Sequence, residues 1–403
     1  MRLAVVSPFV DRRHGTERAL AELLERLASV YGCEIHLYAQ RVEDLRLSGR
    51  RSPLATGSGG IFWRKVPTIP GPHVMQFLAW MLLNGFLRSW DALIGRVSFD
   101  LVLSPGINCL HPDVVIVHAL FHRLRELARE ETKGSGTRGN FFRRLHRRVY
   151  YALLASLERR IYADKSIFLA AVSNRTKAHL QKYFRRRDVT VIPNGVNTAQ
   201  FSAKARVERR EQARQRRGFR DSDFVLLLIG NDWRVKGLPA VLDAMAVLLD
   251  SPLHLVVVGN DVAEPFRSLA MRLKLGDRCH WESPNSDVLD FYAAADLYVS
   301  PSREDSFGLP VAEAMACGLP VITSIHAGVA DYIRDGVDGF VLREPGDAQA
   351  LAELIERLRT DAQLRRSMAE AAAKAALEWT WERNAAAVWE LLRNAEAKRH
   401  PKI

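Results

Sequence analysis

Between Pro301 and Pro320 the chain reads Pro-Ser-Arg-Glu-Asp-Ser-Phe-Gly-Leu-Pro-Val-Ala-Glu-Ala-Met-Ala-Cys-Gly-Leu-Pro. An apolar run ending in Leu297-Tyr-Val299 precedes it, so the expected order is strand, loop, helix. Asp305 falls in the loop and Glu313 inside the helix, with Gly308 between them, where a backbone lacking Cβ admits a ligand. Each ionised carboxylate accepts several hydrogen bonds, and the N–H groups opening a helix attract oxygen-rich anions. Hydroxyls and phosphate on one ligand describe a sugar nucleotide. In isolation, a Glu inside an Ala-rich helix reads as a solvated residue, and only this setting assigns it a role.

A cation follows another apolar run. After Phe224–Ile229 comes Asn231-Asp-Trp-Arg-Val-Lys-Gly237, with Lys236 on the loop. A lysine ammonium is a compact point charge of the kind that pairs with anionic groups. A Walker loop is excluded, because no G-x-x-x-x-G-K is present. His118 ends the run Val114–Val117 and is placed to hydrogen-bond a sugar or acceptor hydroxyl; His111 and His122 compete for the role, beside a purely structural histidine.

These residues need a scaffold that ends strands in loops. Leu3-Ala-Val-Val, a loop with His14-Gly15-Thr16, a helical pattern from Glu17 and a strand at Ile35–Ala39 open a doubly wound α/β sheet. In such sheets ligands sit beyond the carboxyl ends of the strands, where Gly15 falls, although the full G-x-G-x-x-G is absent. The pattern restarts at Phe224, and 403 residues accommodate two domains. The amphipathic stretch with Phe77, Trp80, Leu83 and Leu87 is expected to pack into the core, a membrane-facing role being the alternative. Lys133–Gly139 reads as a flexible loop.

The chain is 48% hydrophobic, with a net charge of +12. Residues 121–220 hold 26 Lys and Arg against 8 Asp and Glu, in clusters such as Arg143-Arg144, Arg147-Arg148, Arg185-Arg186-Arg187, and Arg214 with Arg216 and Arg217. They suit either a phosphate-bearing partner or solvated helix faces. Four scattered cysteines and a first strand starting at Leu3 suggest a reduced, cytoplasmic protein.

The 301–320 stretch resembles the signature of the retaining, nucleotide-sugar-dependent glycosyltransferases of group 1 (family 4), an acidic-x7-acidic element ending in Glu-Ala-Met-Ala-x-Gly-x-Pro-Val. Asp305 stands where the family usually has Glu, with Glu304 one residue earlier. The resemblance implies the GT-B fold, two Rossmann-like domains facing each other across a cleft. The N-terminal acceptor domain is then 1–200, completed by the helix 380–403, and the donor domain 201–379. It also implies that Asp305 holds the donor-sugar hydroxyls and that N–H groups around Phe307, Gly308 and Leu309 face sugar and diphosphate. Glu313 takes the ribose hydroxyls, Asn285 lies in the base-binding loop, and Gly15 meets the diphosphate from the other domain. Lys236 holds the diphosphate, and Arg234 adds a second charge, since Gly230 and Asn231 occupy the places where many relatives have arginine.

The implied reaction is a metal-independent front-face displacement, with no cofactor beyond a UDP-sugar co-substrate, moving a glucose-like hexose to a glycan or glycolipid. The Gly-Asn-Asp turns and basic N-terminal half look like lipopolysaccharide-core hexosyltransferases, whose setting is the cytoplasm, with Arg clusters touching the anionic inner face of the membrane. The competing readings are an epimerase or phosphorylase on the same plan, and a basic nucleic-acid-binding or scaffold protein. The first reading expects no nucleic acid.

Overall fold

The computed structural model describes residues 1–48, 59–94, 97–134, 141–284 and 287–399. The chain divides into two compact units, Met1–Pro193 with Glu382–Ile403, and Asn194–Trp381. The divides fall at Pro193/Asn194 and Trp381/Glu382, where the sequence suggested 200/201 and 379/380.

The first unit begins with β1 (Arg2–Val6), β2 (Phe9–Val10), α1 (Gly15–Ser29), β3 (Glu34–Ala39), β4 (Arg41–Val42), β5 (Gly60–Lys65) and α2 (His73–Leu93). It continues through β6 (Leu101–Pro105), β7 (Val114–Val117), α3 (Phe121–Gly134), α4 (Phe141–Tyr162), β8 (Phe168–Ala171), α5 (Asn174–Phe184) and β9 (Val189–Val191). Seven strands pair in parallel in the order β5-β3-β1-β6-β7-β8-β9. Parallel strands covered on both faces read as apolar runs, and β7 is buried throughout. The loop expected over 133–139 lies mostly outside the described residues.

The second unit holds α6 (Ala203–Gln215), β10 (Phe224–Ile229), α7 (Leu238–Val247), β11 (Leu253–Val258), α8 (Glu264–Arg272), β12 (Cys279–Glu282) and α9 (Leu289–Ala294). There follow β13 (Leu297–Ser300), α10 (Leu309–Ala316), β14 (Val321–Ser324), β15 (Phe340–Leu342), α11 (Ala348–Thr360) and α12 (Ala362–Ala376). Its six parallel strands run β12-β11-β10-β13-β14-β15. In strand count this is the order 3-2-1-4-5-6, so the switch point lies between β10 and β13. The last helix, α13 (Trp381–Arg399), returns to the first unit: Asn384 donates to Pro193 O at 2.7 Å and Trp389 stacks on Tyr31.

Helix α2 has two apolar faces. Trp80 is buried, and Phe77, Leu83 and Leu87 pack against the first unit's core as the sequence suggested. The opposite face carries Met75, Leu78, Leu82, Phe86, Trp90 and Leu93, all exposed, three or four residues apart. No helix among the described residues is long and apolar enough to cross a membrane.

Much of the arginine surplus is internal wiring. On α6, Arg210 and Arg214 pair with Asp296 at 2.5 and 3.1 Å, and Arg206 and Arg214 donate to the carbonyls of Ala295 and Ala294 that end α9. Arg216 and Arg217 pair with Asp290, and buried Arg186 ties Asp188 to three backbone carbonyls. Arg186, Arg214 and Arg217 are thus largely buried in internal pairs and turned away from any membrane, whereas Arg216 keeps an exposed side chain beside Asp290. Arg185 and Arg187 remain exposed. The side chains of 143–148 are not described.

Asp296 also accepts from Val225 N at 2.9 Å, so one carboxylate joins α6 to the start of β10. Asp296→Asn is expected to lower the stability of the second unit by about 3 kcal/mol, since it strands buried guanidinium charge. Urea unfolding followed by tryptophan fluorescence measures it.

Candidate functional site

The loops after β10 and β13 meet at the switch point. Gly237 precedes α7 with φ +86°, and a Cβ built there would lie 2.2 Å from Pro301 O. Arg303 N donates to Val235 O at 2.7 Å. This backbone-to-backbone contact brings Lys236 to Asp305, and Nζ donates to Oδ2 at 2.5 Å. Both side chains are largely buried, at 17% and 14% exposure. The lysine stem lies on Gly230, where a Cβ would approach Cε to 3.0 Å.

Asp305 is held by its own backbone. Its N–H donates to His326 O and its carbonyl accepts from Gly328 N, each at 2.9 Å, while Phe307 O accepts from Val329 N at 2.6 Å. Gly308 then opens α10 at φ +95°, with no side-chain cap. The side chains of Phe307 and Leu309 are buried, so what this turn presents is its backbone.

Glu313 lies one turn into α10 and is 4% exposed. Tyr292, on α9, donates its hydroxyl to Glu313 Oε2 at 2.8 Å. Burial, and then the nearby Glu313 charge, raise that phenol well above its ordinary range, so it stays protonated and a donor. Sequence reasoning missed Tyr292. It sits 21 residues before Glu313 on another element, and no spacing rule links them.

The loop after β10 is braced from beside. Asn231 Oδ1 accepts from Asn260 N at 2.9 Å and Asp261 Oδ2 from Trp233 N at 2.8 Å. Trp233 is buried against Trp281 and Phe266. Arg234 is exposed, its guanidinium 5.9 Å from the Phe266 ring centroid. Asn285 lies outside the described residues, and Pro284 just before it is exposed. Lys236, Asp305, Gly308 and Glu313 thus gather in the second unit.

Gly15 and His118 belong to the first unit. Gly15 is the first residue of α1, and the preceding loop is organised by buried Asp11, which accepts from Arg13 N, His14 N and His14 Nδ1 at 2.8–2.9 Å. Burial alone would raise the Asp11 carboxyl; the His14 and Arg13 hydrogen bonds outweigh it and hold it below its usual range. His118 follows β7 directly and is half-buried. Its competitor His122 is committed elsewhere, Nδ1 lying 2.6 Å from fully buried Glu158, which also accepts from the N–H groups of Phe121 and His122. His111 is exposed. Among the described residues, no group of three or more His, Cys, Asp and Glu is placed to hold a metal ion.

Residues 13–200 match the family described as Glycosyltransferase Family 4, and residues 209–375 that described as Glycosyl transferases group 1. The chain is 31% identical over 226 residues to the lipopolysaccharide glucosyltransferase WaaG of Escherichia coli (strain K12), covering 55% of this chain and 60% of that protein. It is 31% identical over 229 residues to the D-inositol 3-phosphate glycosyltransferase of Salinispora arenicola, covering 53% and 51%. These alignments span half to three fifths of the curated relatives' length. The crystal structure of WaaG superposes with a TM-score of 0.76 at 23% identity, covering 99% of this chain and 100% of that one. That of Anabaena Alr3699/HepE in complex with UDP-glucose gives 0.69 at 18%, covering 98% and 100%. Both likenesses are to the GT-B fold.

The close approach at Gly237 is the most sensitive point of this geometry. Gly237→Ala is expected to cost about 1–3 kcal/mol through its positive φ and the clash with Pro301 O. Thermal melting measures that cost.

Proposed function

We propose that this chain, which belongs to the group 1 glycosyltransferases, transfers a hexose from a nucleoside-diphosphate sugar to a hydroxyl of a glycan or glycolipid. The observation that carries the reading is the convergence of Lys236, Asp305 and Glu313 at the carboxyl ends of strands flanking and following one switch point. A cation for diphosphate, an acid for sugar hydroxyls and a buried acid for ribose hydroxyls match the parts of one donor. Asn285 would contact the base and Arg234 add charge beside the diphosphate. Gly15 and His118 would serve diphosphate and acceptor. UDP-glucose is the favoured donor, from the complex described for HepE, and a lipopolysaccharide precursor the favoured acceptor, from the name of WaaG.

The transfer is read as retaining. A double-displacement route uses two opposed carboxylates, one a nucleophile. Asp305 and Glu313 instead belong to one loop–helix unit and are assigned to the donor. The diphosphate oxygen leaves the anomeric carbon with the bonding electrons, and the acceptor oxygen bonds to that carbon on the same face. The acceptor proton passes to the departing phosphate. Lys236 and the Gly308 turn stabilise the charge that develops on the leaving group. No step calls for a divalent cation.

The outer face of α2 suits a bilayer surface. Six exposed large apolar side chains at helical spacing form the pattern of an in-plane interfacial helix. The nucleic-acid reading loses support, because many of the arginines it needs are paired internally.

With a panel of nucleotide sugars, one donor is expected to stabilise the wild type with or without EDTA, and Glu313→Ala to weaken it about tenfold to a hundredfold. A wild type indifferent to every nucleotide sugar would sink the reading. Phe86→Asp is expected to reduce cosedimentation with phosphatidylglycerol vesicles about tenfold while leaving donor affinity unchanged. Trp90 fluorescence should shift to the blue when the wild type meets those vesicles, and an unmoved spectrum rejects the membrane contact.

A further inference from the structure

Lys236 and Asp305 have been given separate parts of the donor, yet in the structure they hold each other at 2.5 Å. The contact is largely withdrawn from water, and the two loops bearing it are locked by the Arg303–Val235 hydrogen bond and the Gly237–Pro301 approach. Neither charge can leave the pair cheaply, because a partly dehydrated ion that loses its partner must find another.

We infer that the Lys236–Asp305 ion pair is a selectivity element that favours the intact nucleotide sugar over the sugar-free nucleoside diphosphate. This rests on the donor-site reading above. A nucleotide sugar offers phosphate oxygens to Lys236 and hydroxyl donors to Asp305, so both ends of the broken pair are satisfied by one ligand. A nucleoside diphosphate offers only the phosphate. Taking Lys236 leaves the Asp305 carboxylate beside the diphosphate with no donor to accept from. Once the sugar has gone, the pair closes again and competes with the spent nucleotide for the same ammonium. Product release is thereby coupled to loss of the sugar.

The test is calorimetric titration of the full chain with the four ribonucleoside diphosphates and their hexose conjugates, the latter as non-hydrolysable phosphonate analogues. The wild type is expected to bind one conjugate more tightly than its diphosphate. In Asp305→Asn the order should invert: the diphosphate gains about tenfold because its rival for Lys236 has gone, and the conjugate weakens. The double variant Lys236→Gln/Asp305→Asn, which leaves no buried charge unpaired, should lose the gain and fall below the wild type, since both the gain and the basal diphosphate contact run through the ammonium. Diphosphate affinity that is unchanged or weaker in Asp305→Asn, with circular dichroism intact, overturns the inference. Gain that persists in the double variant overturns it too. If Asp305→Asn does not fold, a diphosphate affinity in the double variant equal to that of the wild type overturns it. Binding that depends on Glu313 but ignores Asp305 removes this proposal and leaves the donor site standing, whereas no nucleotide binding at all removes both.

Discussion

The meeting of Lys236 with Asp305 depends on one steric constraint, the contact of the β10 and β13 loops at Gly237 and Pro301. In a doubly wound sheet the strands at a switch point send their helices to opposite faces, and their terminal loops diverge. Here a residue at positive φ, with no Cβ, lets the loops touch before they part. Lys236 and Asp305 lie 69 residues apart in the chain and would otherwise stand on separate rims. Each helix then starts at a glycine, Gly237 for α7 and Gly308 for α10, so neither start is covered by its own side chain.

Around that contact, polar groups are paired inside the unit. Asn231 and Asp261 anchor the flanks of one loop, and the His326 and Gly328 backbone anchors the other. Tyr292 occupies one oxygen of Glu313. Behind it, the arginines of α6 satisfy the carbonyls ending α9, the helix that carries Tyr292. Guanidinium suits this work, with five donors in a fixed fork and no tendency to lose its charge. A side chain that looks like a surface cation in sequence thus becomes a support for the helix whose Tyr292 holds buried Glu313.

The legible part of the sequence was the part with short-range grammar. Apolar runs closing on Gly, Asp and Lys announced strands ending in functional loops, and Asp305, Gly308 and Glu313 could be placed because eight residues hold their relation. Tyr292 could not, since its partner is brought by the sheet and not by spacing. The arginines misled for a related reason: composition counts charge, and only tertiary structure says which carboxylate or carbonyl consumes it. On α2, periodicity picks out the inward residues Phe77, Trp80, Leu83 and Leu87, but a helix apolar on two faces has a low contrast between them, and the outward stripe is distinguished only once the fold shows which face the core covers.

Helix α13 bears on how the chain is made. It supplies Val388, Leu391 and Leu392 to the interior of the first unit, although 188 residues of the second unit separate it from β9 and its neighbours. A ribosome adding ~5–20 residues per second takes about 10–40 s to cross that interval. Throughout it, the first unit must wait with an apolar seam open, while the second unit can already close its own sheet. The half of the protein synthesised first is therefore the half completed last, and the seam is where a nascent chain would call on a chaperone.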